Sequence, residues 1–319
     1  MASSTVAALT EDTAPLGNDL LYVGKAATSD RKIYNGSYNL LPDGHMINGS
    51  FSVTVAANNI TVALKTKSGG NPSATDPVSI WINGAYRRCT AALSVTKNAG
   101  TQWFNLDTRF SAQEVDFFIY LGWNTTPATD IVDIGFSRIP YGRVYSDFSA
   151  TTTNEKYLAF ANASTPTSTD NWVNVGRFAA TLSATYNWSV PTYTNLNLIQ
   201  SPYYETRLLT MLCTPTALAG APTTVTDTVT YRIRGKQIFQ KHVILVTNKG
   251  TASSGLQVLT PLAITSPANV LPGAEYAVVG YSIIAVPAST TALNLFKYDG
   301  TTLWTNTHGF VMAGWIEIP

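Results

Sequence analysis

Charge is what this sequence has least of. Only 12% of its 319 residues are Asp, Glu, Lys or Arg, about half the share found in an ordinary soluble chain. Its 20 basic and 19 acidic side chains nearly cancel, leaving a formal net charge of +1. No long-range field exists to gather phosphate backbones, so nucleic acid is excluded as an expected partner. Cysteine is scarce too. Cys89 and Cys213 are the two present, too few for a disulfide framework and too far apart for a metal-ligand spacing. Both are expected as buried free thiols, packing as small apolar side chains. The three histidines, His45, His242 and His308, stand singly and without the spacing of a zinc site. No cofactor or metal is implied.

Long apolar runs are missing as well. The most apolar stretch, residues 276–287, is broken by Gly280, Tyr281 and Ser282 and falls short of the ~20 residues of a membrane helix. No membrane insertion is expected. The opening Met1-Ala-Ser-Ser-Thr5 has neither the basic region nor the apolar core of a secretory signal, so export is not expected either. Helical periodicity is absent, because no long segment repeats apolar residues at three- and four-residue spacing. Gly135-Phe-Ser137 and Gly280-Tyr-Ser282 lack the second glycine of a nucleophile elbow. No solenoid period is present.

Hydrophobic residues, by contrast, make up 45% of the chain, ample for a core. With so few charges the surface must draw its polarity from Ser, Thr and Asn, as runs 149–154 and 162–171 do. Such a surface suits subunit packing and hydrogen bonding to sugars, since neither gains from desolvating charge.

Strand signals recur throughout, and the expected fold class is all-β. Phe51-Ser-Val-Thr-Val55 and Ile60-Thr-Val-Ala-Leu64 alternate apolar with polar, and the Asn58-Asn59 pair between them suits a tight hairpin. Further strands are predicted at residues 78–82, 92–96, 115–121, 132–136, 172–182 and 186–190. Beyond Pro215 and Pro222 a second, more regular series begins. Thr228-Val-Thr-Tyr-Arg-Ile-Arg234 puts Val229, Tyr231 and Ile233 on one face, and residues 237–246 return after Gly235-Lys236 as a hairpin. Residues 276–286 read as a central strand, 292–298 and 302–305 flank the turn sequence Asp299-Gly300, and 310–318 close a jelly-roll-like sandwich. The boundary between the two series is placed near residues 198–202. Residues 1–42 differ from both. Their apolar positions, Leu20, Leu21, Tyr22, Val23, Ile33, Leu40 and Leu41, are too few to bury a core, so this arm is expected to order only against a partner. The organisation is thus an extended attachment arm (1–42), a β-rich body (43–202) and a C-terminal jelly-roll-like β-sandwich (203–319), the last facing outward.

Among candidate chemical groups, Glu114 and Asp116 share a strand face, close enough for the two carboxylates of glycoside hydrolysis, but among 19 acids such pairs arise by chance and a structural role is expected for them. Asp130 and Asp133 read as turn or cap residues. His242 lies between Lys241 and Val243 within a strand and reads as a surface or interface side chain. Trp103, Trp123, Trp172, Trp188, Trp304 and Trp315 read as core or subunit contacts, or as sugar-stacking platforms where a ring is exposed.

The stretch Ala8-Leu-Thr-Glu-Asp-Thr-Ala-Pro15, followed by Asp19-Leu-Leu-Tyr-Val23 and Asp30-Arg-Lys-Ile33, resembles the leader found on many tail-fibre and virion proteins of tailed bacteriophages. In that group it implies docking to the tail or another particle component, which singles out Leu9, Thr10, Glu11, Asp12, Leu20, Leu21, Tyr22 and Val23 as attachment residues. The segments Ile134-Gly-Phe-Ser-Arg-Ile-Pro-Tyr-Gly-Arg143, Tyr145-Ser-Asp-Phe148, Asn154-Glu-Lys-Tyr157 and Tyr204-Glu-Thr-Arg207 resemble a region recurrent in phage structural proteins. The C-terminal series is similar in kind to the compact trimeric heads at the tips of phage fibres.

The resemblance implies a non-enzymatic virion protein made in the host cytoplasm. It implies a short homotrimeric tail fibre or spike that binds other particle proteins through residues 1–42 and a host-surface glycan or protein through its far end. A capsid decoration, head fibre or baseplate protein without receptor binding, and a polysaccharide-cleaving spike, stay open beside it.

Overall fold

The computed structural model describes residues 20–26, 29–34, 43–82, 84–104, 106–123, 132–140, 143–144, 160–162, 171–195, 205–235, 237–262, 264, 270–276, 281–299, 303 and 306–317. These form strands, with one 3-10 turn at Thr108–Phe110 and no α-helix among the described residues. The protein is all-β, as its periodicity predicts.

Strands β1 (Leu20–Ala26) and β2 (Ser29–Tyr34) pair antiparallel as a two-stranded ribbon, with an irregularity between Tyr22 and Lys25. Six strands follow: β3 (Met46–Ile47), β4 (Gly49–Ala56), β5 (Asn59–Thr66), β6 (Val78–Ile82), β7 (Ala85–Cys89) and β8 (Leu93–Lys97). They make two three-stranded sheets, ordered β3-β6-β7 and β4-β5-β8. The β4–β5 hairpin forms as its alternation predicts, but its turn sits one residue earlier than expected. Ala57 and Asn58 carry the positive φ values, +47° and +63°, while Asn59 already pairs with Ala56 in the ladder. Two successive positive φ values are the signature of a type I′ turn, which matches the twist of the flanking strands. Alanine is poorly suited to that conformation. Ala57→Asn is therefore expected to stabilise the chain by about 0.5–1 kcal/mol, read as a higher midpoint in urea unfolding.

The body continues with β9 (Glu114–Trp123), β10 (Val132–Ser137), β11 (Arg143–Val144), β12 (Phe160–Asn162), β13 (Asn171–Thr181) and β14 (Tyr193–Asn195). Their sheet is ordered β11-β13-β9-β10-β12, with β14 paired to β13. Residues 115–122 of β9 are buried on both faces, as expected for a near-continuous apolar run in mid-sheet. Gly122 is required there by packing, because a Cβ would lie 2.5 Å from the Trp172 ring. On one face of β9, Phe117 gathers Phe104, Phe136, Phe178 and Trp188 at centroid distances of 5.2 to 5.9 Å. Residues 186–190 do not form the predicted strand. Only Trp188 makes a bridge, to Leu182, and its ring is spent on the aromatic core instead.

Nine strands form the last sheet: β15 (Leu209–Cys213), β16 (Thr216–Ala219), β17 (Thr224–Arg234), β18 (Gln237–Asn248), β19 (Ser253–Leu259), β20 (Leu271–Glu275), β21 (Ser282–Ser289), β22 (Ala292–Lys297) and β23 (His308–Glu317). Their order is β15-β17-β18-β23-β20-β21-β22-β19-β16. The run β23-β20-β21-β22 has the Greek-key order, three hairpin-linked strands and a fourth returning beside the first. Although β15 and β16 are opposite edges, only Thr214 and Pro215 separate them in sequence, three Cα steps of about 3.8 Å each. The sheet must therefore curl on itself to bring its edges together. The Cys213 thiol on β15 accordingly lies 3.9 Å from the Leu259 carbonyl on β19. The result is a jelly-roll-like curled sheet.

Two expectations need correction here. The central strand predicted over 276–286 begins only at Ser282, the start of β21; Tyr276 and Tyr281 are not in a strand, and β20 already ends at Glu275. Of the predicted strand 302–305 only Leu303 is described, and it is not in a strand; both sides of β22 are already taken by β21 and β19. The boundary predicted near 198–202 lies outside the described residues. Strands from β15 onward pair only with one another among the described residues. Side chains nevertheless cross between the two sets of sheets, with Phe110 set edge-on to Tyr231 at 6.4 Å.

Candidate functional site

The predicted carboxylate pair does come together, on β9, and an arginine holds it. Arg207 lies in the segment leading into β15. Its Nε and Nη2 donate to Asp116 Oδ1 at 2.9 and 2.7 Å, and its backbone N–H donates to Asp116 Oδ2 at 2.8 Å. Nη2 also reaches Glu114 Oε2 at 2.9 Å, while the Thr192 hydroxyl donates to Glu114 Oε1. Every oxygen of both carboxylates is thus engaged. A general acid or base must reach its substrate; Asp116 is buried beneath Arg207, while the partly exposed Glu114 is tied to Arg207 and Thr192. Burial works against the Arg207 charge, but hydrogen bonds and attraction from Asp116 and Glu114 outweigh it and hold the guanidinium above its usual pKa. The cluster is a clasp between the body and the C-terminal sheet. A second arginine does similar work, with Arg138 donating to the Phe104 carbonyl at 3.1 Å and the Pro261 carbonyl at 3.4 Å.

Asp130 lies outside the described residues, and Asp133 is not a turn residue. Asp133 is buried within β10 and accepts the Ile134 N–H at 2.7 Å. Its charge opposes the effect of burial on Lys97, whose pKa is pulled down by desolvation. His242 also departs from expectation. It is fully buried, on the inner face of β18, with Nδ1 2.7 Å from Asp227 Oδ2 on β17. A second pair, His308 with Glu275, joins β23 to β20. Near His242, Gln240 is wholly buried on the same face. These polar groups lie inside the curled sheet, closed to any substrate. Both cysteines are buried free thiols, as predicted. Burial raises the pKa of Cys89 and, with the nearby Asp227 charge, pushes Cys213 up to about 12. Among the described residues no group of His, Cys, Asp and Glu has the arrangement of a metal site.

The tryptophans divide by environment. Trp172 and Trp188 are buried. Arg87 lies 3.6 Å over the Trp123 ring and Lys97 4.6 Å over Trp103, so both rings already carry a cation. Trp304 lies outside the described residues. Trp315 is 44% exposed on β23, and Phe239 of β18 meets it at 5.5 Å between centroids.

Of the attachment residues, Leu9, Thr10, Glu11 and Asp12 lie outside the described residues. Leu20, Leu21, Tyr22 and Val23 fall on β1, where Leu20 is in register with Tyr34 and Leu21 with Ile33. What sequence reasoning missed was the outer face of the curled sheet, which is largely apolar across β18, β23 and β20 but polar on β17, where Thr224, Thr226, Thr228, Thr230, Arg232 and Arg234 point outward. Its signal was present in the alternation of β18, where Phe239, Val243 and Leu245 are out of phase with the buried Ile238, His242 and Ile244. No protein-family model, no curated protein and no solved structure matches this chain.

Proposed function

We propose that this chain is a non-catalytic component of a tailed-phage particle, a short homotrimeric fibre or spike that mounts through residues 1–42 and meets the host surface with its C-terminal sheet. The observation that carries the reading is the β1–β2 ribbon, which stands as a sheet of its own. An isolated two-stranded hairpin is marginal at best in water, so the ribbon needs a surface to pack on, which this reading assigns to another particle protein. The low charge of the chain and the tie of both Glu114 and Asp116 to Arg207 support adhesion and assembly over chemistry.

The test uses the full chain. Antibodies raised against it are expected to label intact particles of the phage that encodes it, and the purified chain is expected to bind host cells and compete with particle adsorption. Particles free of the chain overturn the proposal. Labelled particles with no competition assign it to the capsid or baseplate without a receptor role. Release of reducing ends from host polysaccharide by the purified chain overturns the non-catalytic part alone.

A further inference from the structure

The C-terminal sheet has two faces of unlike composition. Its inner face is core, while its outer face is neither core nor an ordinary polar surface. Register fixes which residues share that outer face. Across β18, β23 and β20, Val243 lies opposite Val311, and Val311 opposite Ala274. The row beside it runs through Lys241 and Ala313, and on β20 to β22 through Pro272, Ile284 and Phe296. On its other side Leu245 faces Gly309, over which the Tyr276 ring lies. Phe239 and Trp315 extend the face at one end.

Size and chemistry both mark this as a buried contact awaiting a partner. With strands about 4.8 Å apart and same-face positions about 6.8 Å apart, the dozen or so positions named cover about 400 Å² in plan. That is the scale at which apolar patches on single chains mark interaction sites. It is about half of the ~800 Å² that a standard interface takes from each side. Leu245, Tyr276, Tyr298 and Trp315 are 44%, 55%, 79% and 44% exposed, and aromatic residues of this kind are enriched at interface centres while charged ones are depleted.

We propose that this outer face, centred on β18, β23 and β20, is where a second copy of the chain packs. The inference rests on the homo-oligomeric part of the reading above and supplies its surface. Charge selects the occupant. The outer positions of β18 and β23 carry one base, Lys241, and one acid, Glu317, so bringing copies together adds no net repulsion. A strongly charged partner finds no complement here.

The experiment measures the mass of the full chain at micromolar concentration by sedimentation, alongside Val311→Lys, Trp315→Lys and a control, Val190→Lys, whose exposed side chain lies in the body. The wild type and the control are expected to be oligomers. The two face variants are expected to be monomers with unchanged circular dichroism, their association weakened on the order of 30-fold or more, as for loss of a hot-spot side chain. Face variants that assemble like the wild type overturn the surface and leave the homotrimer standing. A monomeric wild type overturns both, while antibody labelling still decides the virion role. If a variant misfolds, lysine cross-linking of an isotope-mixed wild type decides instead. Links from Lys241 between copies support the proposal. Links from Lys241 confined to one copy, to Lys25 or Lys32, put the arm on this face and overturn it.

Discussion

Replacing Arg207 with alanine is expected to cost about 3–5 kcal/mol of stability, because it leaves Asp116 as an uncompensated buried charge. Asp116 is almost fully buried, while Arg207 keeps a third of its side chain in contact with solvent. Removing the arginine takes away both side-chain donors to Asp116 Oδ1, and water cannot easily replace them. Glu114→Ala is the contrasting case. Its carboxylate is partly exposed, and losing a solvent-screened pair is expected to cost within about 1 kcal/mol. Urea unfolding followed by tryptophan fluorescence measures both. Equal effects from the two variants would mean that Asp116 is solvated and that the clasp is a surface ion pair. The double change Arg207→Met with Asp116→Leu is expected to recover part of the loss, since it removes the buried charge along with its partner.

Phe117→Ala is expected to destabilise by a similar amount, about 3–5 kcal/mol. Its ring is fully buried and stacks on Phe178 with 22° between planes, while Phe104, Phe136 and Trp188 close the other sides. Four rigid rings cannot collapse into the space that alanine leaves, so the cavity persists and its cost adds to the lost transfer energy. Thermal unfolding by calorimetry reads the effect. A loss below about 1.5 kcal/mol, the range of a volume-conserving swap, would show that the neighbours repack.

Much of the fold was legible because strand alternation is a local property. The β17–β18 hairpin follows from residues 228–246 alone, and its inward Val229, Tyr231 and Ile233 are buried as the pattern requires. What failed depended on partners distant in sequence. Trp188 looked like a strand residue, yet its place is set by Phe117 and Phe136 some fifty to seventy positions earlier. His242 looked like a surface group because it is polar, although it is in phase with Ile238 and Ile244; Asp227, fifteen residues away, makes its burial tolerable. The carboxylate pair and its structural character were legible, but the arginine that holds it was not, since Arg207 comes 91 residues after Asp116. The apolar outer face is spread over β18, β23 and β20, which become neighbours only when β23, some sixty to seventy residues after β18, pairs between the other two.

The place of β23 has a consequence for how the protein is made. It lies between β18 and β20 but is the last strand of its sheet to leave the ribosome. Until then the nascent chain carries two half-sheets, each with an open edge able to recruit the wrong strand. Closure therefore waits for β23 and is an event of high contact order, expected to be slow. A chain cut before His308 would keep both half-sheets open at the edges that β23 otherwise joins.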